Sequence, residues 1–139
     1  MKIKNKILGV FIITIGFLSC AQNKTEDKVL GNEIVIELDA QSFFNEIQGE
    51  NIQLVDVRTL GEYNSGHIKN ALLIDFYSPE FYNEMNDSLD KEKPVYVYCR
   101  SGNRSGKAAK ELEKLGFSKI IDLDGGINSW TSQGLSLEH

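Results

Sequence analysis

Cysteine is nearly absent from this chain: Cys20 and Cys99 are its whole complement in 139 residues. So few thiols exclude a disulfide framework and a cysteine-built metal cluster. Histidine is equally scarce, with His67 and His139 alone, and the sequence offers no metal site and calls for no cofactor. Positive charge is in deficit: 15 Lys and Arg face 20 Asp and Glu, giving a formal charge of -5. The resulting pI near 5.0 argues against a nucleic-acid partner, which needs a basic face. Long apolar runs are missing too, since the only one, Ile7 to Leu18, is too short to span a membrane comfortably. What remains is 41% hydrophobic and 25% charged, enough for one globular domain and its core.

The apolar run has its own meaning. Lys2, Lys4 and Lys6 precede it and Ser19-Cys20 follow it, the pattern of a secretory signal over residues 1–19. Phe17-Leu18-Ser19-Cys20 resembles the lipobox of bacterial lipoproteins, which implies that Cys20 becomes the acylated first residue of the exported protein. The alternative leaves Cys20 incidental, with cleavage elsewhere or the segment kept as a short anchor. Loss of residues 1–19 removes three lysines and no acid, so the charge moves from -5 to -8. Residues 20–32 are polar and aperiodic, as suits a tether holding a domain of residues 33–136 away from a bilayer. The expected location is the cell envelope, on its periplasmic face, with membrane contact through lipid alone. Ala21 after Cys20 favours the outer membrane where one exists. Cys99 is then the sole free thiol, and in an oxidising compartment a solitary thiol is a liability unless it is used.

Periodicity predicts alternating strands and helices. Ile34 to Leu38 alternates like a strand, and Asp39 caps a helix whose Phe43, Phe44 and Ile47 share a face before Gly49 stops it. Ile52 to Val57 reads as a second strand, Thr59 to Tyr63 as one or two helical turns, and Ala71 to Ile74 as a third strand. A helix over Pro79 to Met85, opened by Ser78 and Pro79, precedes the apolar strand Val95 to Tyr98. Ser105 to Leu115 is a helix ended by Gly116; Ile120 to Leu123 is a fifth strand; Gly125-Gly126 turns into a last helix, Ile127 to Gln133. This alternation implies an α/β fold, a parallel sheet covered on both faces, with its working site at the carboxyl ends of the strands.

Cys99 sits at such an end. It opens Cys99-Arg100-Ser101-Gly102-Asn103-Arg104-Ser105, where a glycine lets the backbone curl, two arginines supply charge, and helix-start amides complete a cradle for an anion beside the sulfur. A thiol with a pKa near 8.5 is only about 3% thiolate at pH 7; lowering it by about two units, roughly 2.7 kcal/mol, makes it mostly thiolate. Arg100, Arg104 and the amides have the sign for that, and no histidine base is required.

This loop resembles the active loop of rhodanese-domain sulfurtransferases. Asp56-Val57-Arg58, Glu62-Tyr63, Gly66-His67-Ile68 and Ala71 resemble the family's upstream signature, and Gly125-Gly126, Trp130 and Gly134 its closing segment. The resemblance implies a three-layer domain with a five-stranded parallel sheet. It also implies transfer of a sulfane sulfur: the Cys99 thiolate takes sulfur from thiosulfate or a related small anionic donor and holds it as a persulfide. With no second cysteine, the acceptor is external: cyanide, a small thiol or the cysteine of a thioredoxin-like partner. On this reading the amides from Arg100 to Ser105, through Ser101, Gly102 and Asn103, steady the persulfide, and Arg100 and Arg104 attract the donor's sulfonate. Arg58 is expected nearer the substrate than Asp56, against the alternative that the two form a structural pair.

Two rival functions keep the same loop: a phosphatase or arsenate reductase, and a non-catalytic interaction module. Phosphatases need a wider loop than the four residues between Cys99 and Arg104. His67 reads as a turn residue, Tyr96 and Trp130 as packing, and Tyr98 as the aromatic with some claim on the pocket. Leu137-Glu138-His139 is compatible with an expression-tag remnant.

Overall fold

The computed structural model describes residues 33–139. Residues 1–32, with the leader, Cys20 and the tether, lie outside them. Five strands, β1 (Val35–Leu38), β2 (Gln53–Asp56), β3 (Leu72–Leu73), β4 (Val95–Tyr98) and β5 (Ile120–Leu123), form one parallel sheet in the order β1-β5-β4-β2-β3. Helices α1 (Ala40–Glu46), α2 (Leu60–Asn64), α3 (Phe81–Ser88), α4 (Asn103–Lys114) and α5 (Gly126–Ser132) connect or follow them. The three-layer α/β arrangement expected from the sequence is present. β4 and β5 are buried at every position, as continuous apolar strands at the centre of a doubly covered sheet should be.

Strand alternation sorts the core into two layers. Val95, Val97 and Cys99 face α3 and α4, where Met85, Ala108, Ala109 and Leu112 meet them. Tyr96 and Tyr98 point the other way with Ile121 and Leu123, against Phe43 of α1 and Trp130 of α5. Cys99 thus lies just beyond the carboxyl end of a buried strand, on the α4 face.

Several helix boundaries depart from the sequence reading. Asp39 does cap α1, accepting the amides of Gln41 and Ser42 at 3.0 Å, but the helix ends at Glu46, before Gly49 is reached. α3 begins at Phe81 rather than Pro79, because Ser78 is spent on a turn: its hydroxyl accepts from the Glu80 amide and its carbonyl from Phe81. α4 begins at Asn103, two residues before the expected start, after Gly102 at φ +96°. The loop proper is therefore short, and Arg104 and Ser105 belong to the first turn of α4. Leu137-Glu138-His139 is integral: Leu137 packs on the α1–α5 layer, and His67 and Glu138 exchange backbone hydrogen bonds at 2.8 Å.

Candidate active site

Backbone curvature after β4 sets the sulfur in place. Gly102 adopts a left-handed conformation that turns its amide back, and it donates to Cys99 Sγ at 3.1 Å. From the first turn of α4 the Ser105 hydroxyl reaches the same atom at 3.4 Å and the Gly102 carbonyl at 3.3 Å. Cys99 itself is 1% exposed. Burial is the largest influence on its pKa and pushes it up, yet the Ser105 hydroxyl and the amides of Ser105, Ser101 and Gly102 outweigh it, leaving the thiol below its ordinary value. The main counterweights are thus a hydroxyl and the main-chain dipoles the sequence led one to expect, without the guanidinium charge expected beside them.

The arginines explain the difference. Arg104 grips Glu62 with both terminal nitrogens, each at 2.7 Å. The Glu62 carboxylate also caps α2, accepting from the Thr59 amide and hydroxyl, both at 3.0 Å. Arg104 foremost holds the Glu62 carboxyl down, to about 2, with Thr59 helping against burial. Cys99 contributes to the raised pKa of Arg104, so guanidinium and sulfur feel each other, but the fork itself is occupied. Tyr77, 67% exposed, lies over the Arg104 guanidinium at 5.7 Å.

Asp56 and Arg58 form the structural pair. Asp56 is fully buried and accepts from the Arg58 amide and from its Nε and terminal nitrogen, at 2.7 to 3.0 Å; that terminal nitrogen also donates to the Gly66 carbonyl at 2.7 Å. These bonds fix the segment after β2 against the turn before Ile68. Arg58 still borders a shallow hollow of 210 Å³ shared with Glu62, Ser65, Arg100, Ile127 and Asn128. Arg100 is exposed there and makes no ion pair with any described residue.

A clamp from α5 completes the site. The amides of Ile127 and Asn128 donate to the carbonyls of Cys99 and Arg100 at 2.8 and 3.1 Å. Gly126 permits this approach: a Cβ there would stand 2.5 Å from the Cys99 carbonyl oxygen. Ser101 and Asn103 are exposed on the outer side of the curl.

Tyr98 does not line the site. It is fully buried on the opposite face, its hydroxyl accepting from the Ile68 amide at 3.0 Å. The pleat dictates this, because successive side chains leave a strand on opposite sides. His67 stacks on Tyr63 with ring centroids 3.7 Å apart and takes no position at the sulfur. Sequence reasoning left out Glu62 as the partner of Arg104 and Gly126 as a contact point; only the quoted Glu62-Tyr63 and Gly125-Gly126 motifs marked them.

A Rhodanese-like domain family model matches residues 39–133. A sulfurtransferase of Allochromatium vinosum is 33% identical over 105 residues, covering 75% of this chain and 95% of that protein. An adenylyltransferase and sulfurtransferase of Debaryomyces hansenii is also 33% identical, over 118 residues and 79% of this chain, but the match spans only 26% of that protein. The crystal structure of a rhodanese-related protein from Thermoplasma volcanium superposes with a TM-score of 0.64 at 31% identity, covering 74% of this chain and 97% of the other. Strand order, the curled turn after β4 and the family match over residues 39–133 together place this chain in the rhodanese-like domain family.

Proposed function

We propose that this chain is a sulfurtransferase that carries a sulfane sulfur on Cys99. The observation supporting it most directly is the sulfur held by the Gly102 amide at 3.1 Å in a ring that lowers its pKa. In the first half-reaction the thiolate attacks the outer sulfur of thiosulfate. An Sγ–S bond forms, the S–S bond of the donor breaks, and its electron pair leaves with sulfite. In the second, cyanide or an external thiolate attacks the outer persulfide sulfur and the Cys99 thiolate departs. Main-chain donors suit a charge that stays on sulfur throughout. Arg100, the unpaired cation at the hollow, draws the anionic donor inward, and the slight exposure of Cys99 selects donors with a slender terminal sulfur.

Phosphatase chemistry is disfavoured because Glu62 already fills the fork of Arg104 that would wrap an oxyanion. The test is mass spectrometry after thiosulfate treatment: wild type should gain one sulfur on the Cys99 peptide and lose it to cyanide, whereas Cys99→Ser should gain none. A Cys99 peptide left unmodified under conditions that load a control sulfurtransferase would overturn the reading, and turnover of an aryl phosphate would favour the rival. Export and lipid attachment are proposed from residues 1–20 alone. Fatty-acid labelling in cells should be present in wild type and absent in Cys20→Ala.

A further inference from the structure

β5 carries a buried acid that the proposed sulfur chemistry leaves unused. Asp122 is 2% exposed, and its Oδ1 has no hydrogen-bond partner among the described residues. A bare buried carboxyl oxygen is costly and calls for a reason. Its placement supplies one. Asp122 pairs in register with Val97 of β4, so its side chain leaves the sheet on the face that Val97 shares with Cys99. There it meets the first turn of α4: its Oδ2 lies 3.5 Å from where a Cβ on Gly106 would be, one residue past Ser105. Ser105 is fully buried and reaches Cys99 Sγ at 3.4 Å. The hydroxyl has one hydrogen, shared in the described geometry between the sulfur and the Gly102 carbonyl at 3.3 Å. It makes no hydrogen bond to Asp122 in that geometry, yet it exerts a downward pull on the carboxyl, which packs against the same first turn of α4.

We propose that Asp122 is a positioning residue for Cys99, whose carboxylate receives, through the Ser105 hydroxyl, the proton that leaves the thiol. The S–H bond breaks as Ser105 Oγ takes the proton, and the Ser105 O–H bond breaks as Asp122 takes the hydroxyl's own hydrogen. Thiol and carboxylate become thiolate and carboxylic acid, with no change of net charge and no oxidant. The hydroxyl must turn from the Gly102 carbonyl toward the carboxyl for this to occur. The acid then keeps its proton while the negative charge passes from Sγ to the outer sulfur of the persulfide. Surrounding groups favour that role. Burial foremost raises the Asp122 pKa to about 7, Ser105 opposes it, and Glu37 on β1 and Asp124 just after β5 add to the rise. On the outer side Asp122 borders a 430 Å³ hollow with Lys107, Lys110 and Glu113 of α4, a route for exchange with water.

The inference rests on Cys99 being the working thiol of the proposed function. Its test reads ionisation without any sulfur donor, so a failure of sulfur transfer and a failure of the relay give different results. Cys99 alkylation by neutral iodoacetamide is followed on the full chain from about pH 5 to 9, because interacting sites titrate in steps that belong to the pair. Wild type should give a broad two-step profile. Asp122→Asn should collapse it to one step, with the upper limb moved down by roughly one pH unit, since a neighbouring negative charge is gone. Superimposable profiles would overturn the proposal; a purely structural aspartate would alter stability and leave the profile unmoved. Should the variant fail to fold, the Asp122 carboxyl carbon can be titrated by NMR in wild type. Its midpoint should fall once Cys99 is alkylated, and an unmoved midpoint would equally sink the relay.

Discussion

Glu62 joins the helix and the loop through a single carboxylate, and its ionisation can be followed. Its pKa is depressed from 4.5 to about 2, so it contributes stability that is complete above the unfolded value and drains away as pH falls from about 4.5 toward 2. Glu62→Gln should therefore cost about 1–2 kcal/mol at pH 7, and urea denaturation at pH 7 and pH 3 should show a smaller acid loss in the variant than in wild type. An equal loss in both would assign the acid sensitivity to other carboxylates. The same substitution frees the Arg104 fork, so the KM for thiosulfate should fall on the proposed function. Much of this site is legible at the level of single residues: Cys99, Gly102 and Ser105 announce themselves by order in one short stretch. The state of Arg104 does not, because its partner is 42 positions away and only folding brings the two within 2.7 Å. Asp122 is hidden for another reason, since within Ile120–Leu123 an acid reads as an ordinary polar interruption of a strand.

At the scale of elements, the start of α5 holds the active curl by its carbonyls, and glycine at position 126 makes the contact possible. Gly126 has φ +60°, and a Cβ would meet the Cys99 oxygen at 2.5 Å and the Arg100 carbonyl carbon at 2.7 Å, both of them backbone that cannot rotate away. Gly126→Ala should cost about 1–3 kcal/mol from overpacking, with about 1–2 kcal/mol more for the left-handed conformation. Gly134→Ala separates the two contributions: its φ of +74° is similar, but nothing lies within 4 Å of the added carbon. Thermal unfolding should rank Gly126→Ala well below Gly134→Ala, and only the former should change the Cys99 alkylation rate. Equal effects would mean that conformation alone is at stake. The sequence marks Gly125-Gly126 as a turn, but close approach to a loop 26 residues earlier is a tertiary fact that no local pattern encodes. The same limit applied to α3 and α4: Ser78-Pro79 looks like a helix opening but forms the preceding turn, and the curl at Gly102 draws Asn103 and Arg104 into the helix.

For the molecule as a whole, alternation of strands and helices was enough to predict five parallel strands, while their order depended on long-range pairing, with β1 crossing to pair β5. That order puts a buried thiol near the middle of an acidic protein. The chain carries a formal charge of -5, yet two arginines of the site are matched by carboxylates, Arg58 by Asp56 and Arg104 by Glu62. Arg100 alone adds uncompensated side-chain charge at the hollow. Two fields therefore act on an approaching anion: a long-range repulsion from the whole surface, and a short-range attraction from Arg100 and the loop amides. Salt screens the first far more than the second, because the Debye length shrinks from about 30 Å at 0.01 M to about 8 Å at 0.15 M. Raising ionic strength over that range should increase the rate at which iodoacetate alkylates Cys99 and leave the iodoacetamide rate nearly constant. An iodoacetate rate that falls with salt would show that local positive charge steers anions from a distance, and that Asp56 and Glu62 do not neutralise Arg58 and Arg104 toward an approaching anion.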